Sequence, residues 1–129
     1  MALGRFFFVC LGGAAGTAAR YLLGGWAQRV LGTAFPYGTL FVNLIGSFLI
    51  AIIMHFGLDK GLIKPDLRVV LTTGVMGGFT TYSSFNYETM RLLQDGAVGL
   101  GLLNMAATFV GCLLAGGAGL LLARFIAGA

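Results

Sequence analysis

Long apolar stretches alternate with short polar connectors along the whole chain. Each stretch is close to or longer than the ~20 residues that a helix needs to cross the hydrocarbon of a bilayer. The connectors carry helix breakers: Pro36 follows the first stretch, and Pro65 lies with two acids and two lysines between the second and the third. The pattern predicts an all-α membrane protein whose residues 1–129 form one transmembrane domain with four helices. The predicted spans are 6–30, 38–56, 67–93 and 97–126.

Composition supports the bilayer as the solvent of this chain. Of its 129 residues, 58% are hydrophobic and 9% are charged, whereas a soluble domain carries about 25% charged residues. An alternative concerns the N-terminus, where Arg5, an apolar run and the small residues of 14–19 resemble a secretory signal. Small residues also serve close helix–helix contacts, so both readings stay open from composition alone.

Small residues recur at a spacing of four in two of the predicted helices. Gly12 and Gly16 form such a pair in the first span, and Gly111, Ala115 and Gly119 repeat it in the fourth. The spacing predicts faces on which helix backbones approach closely. Chance recurrence is the alternative in a chain with 22 glycines.

The net charge of +4 is spread over the helix ends without a cluster or stripe, which argues against nucleic acid as a partner. Four spans place both termini on one side of the membrane, and the positive-inside bias between the sides is weak. A chain of this kind could insert in either orientation, and two opposed copies would form an antiparallel dimer. The two sides carry Arg5, Lys60, Lys64, Arg68 and Arg124 against Arg20, Arg29 and Arg91.

Polar residues line one face of the second span. Thr39, Asn43 and Ser47 follow at intervals of four, one helical turn apart. The two hydroxyls could simply bond their own helix or a neighbouring one. Asn43 differs, because its amide cannot satisfy itself locally and offers two N–H donors that an anion could accept.

The stretch "GGFTTYSSFNYET" at 77–89 interrupts the third span. Its two glycines predict a broken helix between Gly77 and Thr80. Such a break is tolerated at membrane depth only beside protein or a water-filled cavity. It frees backbone carbonyls, which are oxygen ligands suited to a small cation. The alternative is a close helix crossing at the glycines with no ion.

Two aromatic residues follow the predicted break. Tyr82 and Phe85 are three apart and share a face, and their ring edges carry partial positive charge. An anion could rest against such edges weakly enough to leave again, as conduction requires. Ser83 and Ser84 could add hydroxyl donors, whereas plain packing is the alternative role for the rings.

Other polar residues allow two interpretations each. Glu88 could form a local pair with Arg91 near the interface. Arg20 could snorkel toward water, or it could make a positive vestibule that attracts anions. Asn104 and Thr108 could extend a polar track along the fourth span or face another helix.

Three segments together resemble a known family. "GAAGTAARYLLG", "GTLFVNLIGSF" and "GGFTTYSSF" are similar in order and spacing to the Fluc-type fluoride channels of the CrcB family, over nearly the whole chain. The resemblance implies a dual-topology antiparallel homodimer in the inner membrane of a bacterium, with two fluoride pores and no enzymatic activity. It implies passive, electrogenic export of fluoride that has entered the acidified cell as hydrogen fluoride, which lowers fluoride toxicity.

The resemblance also implies roles for residues of the second and third spans. The pore asparagine of the family falls on Asn43, and its two pore phenylalanines fall on Tyr82 and Phe85. Its hydroxyl track falls on Ser83 and Ser84, with Thr39 in support.

Further implied sites lie at the break and in the vestibule. A structural Na⁺ at the dimer centre would be held by the backbone carbonyls of Gly77 and Thr80 from both subunits. We expect the vestibule to involve Arg20, Glu88, Asn104 and Thr108.

Three positions depart from the pattern of the family. Tyr82 stands where the family usually has Phe, Asn104 where it often has Tyr, and Thr108 where it often has Ser. These departures bear on conductance and selectivity and leave the expected fold unchanged.

Two other classes of protein compete with this interpretation. A small multidrug-type transporter also has four spans, but it exchanges protons through a membrane-buried carboxylate. Glu88 is the one acid within the predicted spans that could serve, and it lies toward a helix end. A non-transporting assembly subunit would explain the small-residue faces but not a polar row opposite an aromatic pair.

Overall fold

The computed structural model describes residues 2–128 and is helical without any strand over that range, which confirms the all-α prediction. Two π-helical segments join the α-helices: His55–Asp59 continues α2, and Val70–Met76 links α3 to α4. The α-helices are α1 (Ala2–Leu31), α2 (Tyr37–Met54), α3 (Pro65–Val69), α4 (Gly77–Phe79), α5 (Tyr82–Gln94) and α6 (Val98–Ala127).

Within the described range, three helices are long and apolar enough to cross a membrane. They are α1, α2 with its continuation to Asp59, and α6. The stretch 67–93, predicted as the third span, is instead divided among α3, the segment Val70–Met76, α4 and α5. No single helix of that stretch therefore has the length of a span.

The break in this stretch lies at one end of the predicted range. Gly77 is helical, with φ −62° and ψ −37°, and the helix runs on through Phe79. The chain becomes extended at Thr80 (φ −92°, ψ 158°) and Thr81 (φ −151°, ψ 115°). The break predicted between Gly77 and Thr80 therefore occurs at the Thr80 end of that range, because Gly78 serves a close backbone approach to α1 rather than a departure from helical geometry.

Glycines set the distance between α1 and the first half of the divided stretch. A Cβ on Gly16 would lie 2.9 Å from the Phe79 nitrogen, and one on Gly12 would lie 3.0 Å from the Val70 carbonyl oxygen. A Cβ on Gly78 would collide with the backbone of Gly13. The predicted close contact at the first-span glycines is confirmed, since no side chain larger than hydrogen fits there.

The same device joins α6 to α2. A Cβ on Gly119 would collide with the Phe48 backbone, and one on Gly111 would lie 3.0 Å from Cδ2 of Leu44. The small residues of the fourth predicted span are therefore also packing residues.

Few large side chains are buried between these helices. Most large apolar residues of α1 and α6 point outward, as expected of a chain whose apolar side chains face hydrocarbon. The helices are held together mainly by close contacts between their backbones rather than by an extensive core of side chains. The buried apolar residues of the described range are Ala27, Phe35, Val42, Met76, Phe79 and Ala123.

The connector between α1 and α2 is fastened by one side chain. The Gln28 amide nitrogen donates to the carbonyl of Phe35 (2.9 Å) and to that of Gly32, while its oxygen accepts from the Gly38 N–H (3.0 Å). These bonds satisfy backbone groups of the turn and of the start of α2. They fix where α2 begins relative to the end of α1.

We expect Gly16→Ala to destabilise the protein by about 1–3 kcal/mol, because the added methyl overpacks a backbone contact. Thermal unfolding in detergent measures the effect. Gly4→Ala is the matched control: it lies on the same helix with nothing within 4 Å of its added Cβ. The packing account is wrong if both variants unfold at the same temperature.

Candidate functional site

The break between α4 and α5 is held by the side chain of Asn43. Its Nδ2 donates to the Thr81 carbonyl (3.0 Å), and its Oδ1 accepts from the Thr81 N–H (2.8 Å). Asn43 is only 8% exposed. A buried backbone group without a partner would cost several kcal/mol in hydrocarbon, so this double bond makes the extended chain tolerable there. One N–H of the Asn43 amide is thereby engaged by protein.

Thr81 also begins α5. Its hydroxyl accepts from the Ser84 N–H (3.2 Å) and donates to the Ser84 hydroxyl (3.1 Å), and it lies 3.3 Å from the Ser83 hydroxyl. Threonine is a favoured N-cap for this reason. The result is a cluster of three hydroxyls beside the Asn43 amide.

Two residues donate hydrogen bonds to carbonyls at the end of the helix that precedes the break. The N–H and hydroxyl of Thr80 both donate to the Met76 carbonyl, at 3.0 Å and 2.9 Å. Nε of Arg20 donates to the Gly78 carbonyl at 2.9 Å. Arg20 therefore reaches across from α1 to the break, in addition to lining a cavity.

The two aromatic rings of α5 meet edge to face. The ring centroids of Tyr82 and Phe85 are 5.6 Å apart, with an interplanar angle of 61°. Tyr82 is 79% exposed, whereas Phe85 is half-buried. The structure thus brings the pair onto one face, next to the hydroxyl cluster.

A cavity of about 660 Å³ opens on one side of the Asn43–Thr81 pair. The Thr39 hydroxyl donates to a carboxylate oxygen of Glu88 (2.5 Å) at its wall, so a residue of the α2 polar face meets α5. Arg91 pairs with Asp95 at 3.7 Å. The sequence suggested a local pair of Glu88 with Arg91. In the structure, Glu88 instead accepts a hydrogen bond from Thr39, and Arg91 pairs with Asp95. Charged residues on this cavity are Arg20, Glu88, Arg91 and Asp95.

A smaller cavity of about 370 Å³ lies on the other side of the pair. Thr81 lines both cavities, whereas Asn43 and Tyr82 line only the smaller one. The Thr108 hydroxyl lies at this cavity and is buried without a hydrogen-bond partner among the described residues. Further hydroxyls on its wall are those of Ser47, Thr72 and Thr80.

Asn104 lies apart from both cavities. It is 2% exposed, and its Nδ2 donates to the Thr89 hydroxyl (2.9 Å), which in turn donates to the Phe85 carbonyl (2.8 Å). The structure therefore does not bring Asn104 to the cavity of Arg20 and Glu88, because its amide joins α6 to α5. Sequence reasoning missed Thr89, whose signal was its position four residues after Phe85.

The assembled site presents neutral donors and ring edges, with charged groups confined to the larger cavity. Within residues 2–128 there is no cluster of three or more His, Cys, Asp or Glu that could bind a metal. Three helices long and apolar enough to cross a membrane, packed around a break in the helical backbone, are the features of a multi-pass membrane protein.

Residues 7–120 match the family model described as CrcB-like protein, Camphor Resistance (CrcB). A curated relative from Anaeromyxobacter sp. (strain K), named fluoride-specific ion channel FluC, is 53% identical over 126 residues, which are 98% of this chain and 100% of the relative. A relative of the same name from Sorangium cellulosum (strain So ce56) is 56% identical, covering 93% of this chain and 94% of its own length. The chain belongs to the CrcB-like family and is a multi-pass protein of the bacterial inner membrane.

We expect Asn43→Leu to expose the break, because leucine has nearly the same size but satisfies neither backbone group of Thr81. Leaving two buried groups unpaired costs about 2–6 kcal/mol. Hydrogen exchange of the peptide that covers 79–82 should become faster in the variant. Ser47→Ala, one turn further on the same face of α2, is the control and should exchange like the unchanged protein. Equal exchange in all three proteins would contradict the role given to Asn43.

Proposed function

We propose that this chain is the subunit of a fluoride-selective channel that exports fluoride passively from the cytoplasm. The observation that carries the proposal is the Asn43–Thr81 pair, which stands at a helix break between two cavities that have hydroxyl side chains on their walls. The names of the curated relatives support fluoride as the ion. Family membership also favours transport over catalysis.

Fluoride holds its water tightly and must exchange it for donors along its whole path. Ser83 and Ser84 supply hydroxyls next to the break, and one N–H of the Asn43 amide stays available beyond its bond to Thr81. Thr39 supports the path through its bond to Glu88. The edges of Tyr82 and Phe85 supply weak positive charge. Because none of these groups is a formal cation, the ion is stabilised without being trapped.

The larger cavity supplies the approach to this path. Arg20 gives it a positive charge close to the break, which raises the local anion concentration. The Glu88 carboxylate accepts a hydrogen bond from Thr39, which reduces the exposure of its negative charge to an incoming anion. Movement through the path is passive, follows the electrochemical gradient of fluoride and carries charge.

We infer that the divided stretch 65–94 also crosses the membrane, which gives the chain four crossings in total. We further infer that two copies assemble in opposite orientations. The weak charge bias between the two sides supports insertion both ways. Tyr82, Gly77 and much of α1 and α6 are exposed in the single chain, so a second copy has a surface to cover. Two copies related by symmetry would carry two pores.

A structural Na⁺ fits the geometry of the break. The N–H of Thr81, which would reach the Gly77 carbonyl in a continuous helix, is engaged by Asn43 instead. Among the described residues, the carbonyls of Gly77 and Thr80 accept no hydrogen bond, and both residues lie at the smaller cavity. Carbonyl oxygens of unwound helices are suitable ligands for Na⁺. One chain supplies two, so a second copy would complete the set at the dimer centre.

We expect purified protein in liposomes to release fluoride electrogenically and chloride negligibly. Asn43→Ala and Phe85→Ala should reduce fluoride efflux by at least about tenfold, because each removes a group that replaces water around the ion. An ion-selective electrode measures the efflux. Equal release of chloride and fluoride would contradict the selectivity. Proton-dependent uptake of a cationic dye would favour a multidrug-type transporter acting through Glu88.

For the orientation, we expect single cysteines on opposite membrane sides to be labelled equally. Lys60→Cys and Gln94→Cys, each in a chain lacking Cys10 and Cys112, should both react to about one half with a membrane-impermeant maleimide in intact spheroplasts. Each site serves as the control for the other. A fixed orientation would instead give full labelling at one site and none at the other.

A further inference from the structure

The carbonyls at the end of the interrupted helix have different partners. The Met76 carbonyl accepts from the N–H and the hydroxyl of Thr80. The Gly78 carbonyl accepts from Nε of Arg20 at 2.9 Å. Those of Gly77, Phe79 and Thr80 accept no hydrogen bond from the described residues, and of these three residues only Gly77 and Thr80 line the smaller cavity. Arg20 is therefore the group that sets the Gly78 carbonyl apart from the unbonded carbonyls of Gly77, Phe79 and Thr80.

The packing of α1 explains how Arg20 reaches this carbonyl. Gly13 lies two helical turns before Arg20 on the same face of α1, and its backbone is the contact of Gly78. Helical side chains lean toward the N-terminus of their helix, so the Arg20 stem runs back toward that contact. The glycine contact and the hydrogen bond thus fasten α4 to α1 at two neighbouring points.

We propose that Arg20 is a positioning residue for the cation site at the break, acting through its Nε–H. The bond turns the Gly78 carbonyl toward α1 and leaves the carbonyls of Gly77 and Thr80 as the ligands. The inference rests on the Na⁺ site proposed above. Without this donor the Gly78 carbonyl is free to turn, and the backbone of the break loses its preorganised form.

The proposal distinguishes the N–H of Arg20 from its charge. In glutamine the amide nitrogen is separated from Cα by the same number of bonds as Nε in arginine. Arg20→Gln therefore keeps a donor for the Gly78 carbonyl and removes the charge, whereas Arg20→Met removes both and keeps an unbranched side chain. Both replacements have good helix propensity.

The experiment titrates Na⁺ against each purified protein in detergent, with choline replacing Na⁺ at constant ionic strength. Hydrogen exchange of the peptide that covers 77–81 reports occupation of the site without any measurement of flux. We expect unchanged protein and Arg20→Gln to be protected at similar Na⁺ concentrations. Arg20→Met should need roughly tenfold more, since the hydrogen bond that holds the Gly78 carbonyl is lost. Arg29→Met, an exposed cation near the end of α1 that lines neither cavity, is the control.

Protection of Arg20→Met at the Na⁺ concentration of the unchanged protein would overturn the proposal. So would Arg20→Gln behaving like Arg20→Met, because the charge rather than the N–H would then be responsible. Absence of Na⁺ protection in the unchanged protein would overturn it together with the Na⁺ site. Fluoride efflux from liposomes, measured separately, would still decide the proposed channel function. If Arg20→Met fails to fold, a higher Na⁺ requirement in Arg20→Gln than in the unchanged protein would still overturn the proposal.

Discussion

A polypeptide that leaves the helix at membrane depth must find partners for every exposed N–H and C=O without help from water. In this chain the requirement falls on Thr80 and Thr81, the two extended residues between α4 and α5. Asn43 answers it by offering a donor and an acceptor to one residue at once. The position of α2, the start of α5 and the wall between the two cavities all depend on this exchange of hydrogen bonds.

The rest of the molecule brings these partners together with little help from side-chain packing. Gly12, Gly16 and Gly78 let α1 lie directly against the backbone of the divided stretch, and Gly119 does the same for α6 on α2. Dispersion between backbones and the absence of side-chain entropy at glycine favour such contacts in lipid. Because the helices approach so closely, short side chains such as asparagine and threonine can bridge them.

Much of the fold could be predicted from the sequence, because hydropathy and length report directly on membrane helices. The helices α1, α2 and α6 cover the first, second and fourth apolar stretches closely. The break was expected from Gly77 and Gly78 but occurs after them. Glycine allows both a kink and a close approach, and only the position of α1 decides between the two. The position of α1 relative to these glycines cannot be read from a single sequence.

The site could be predicted as a set of residues but not as a set of bonds. Periodicity placed Thr39 and Asn43 on one face, yet their partners Glu88 and Thr81 are 49 and 38 residues away in the chain. Asn104 looked like part of a polar track because polarity alone does not show which neighbour satisfies it. Its actual partner, Thr89, is a residue of α5 to which the sequence pattern gave no role.

Large side chains of α1 and α6 that point outward affect which substitutions this protein tolerates. Leucine, valine and phenylalanine that touch only acyl chains are interchangeable at little energetic penalty, so mutations there are nearly silent. A methyl group added where two helices cross, as at Gly16 or Gly119, would instead collide with the backbone of the neighbouring helix. We therefore expect substitutions to cost most at the smallest residues of this protein and least at bulky residues that face only lipid.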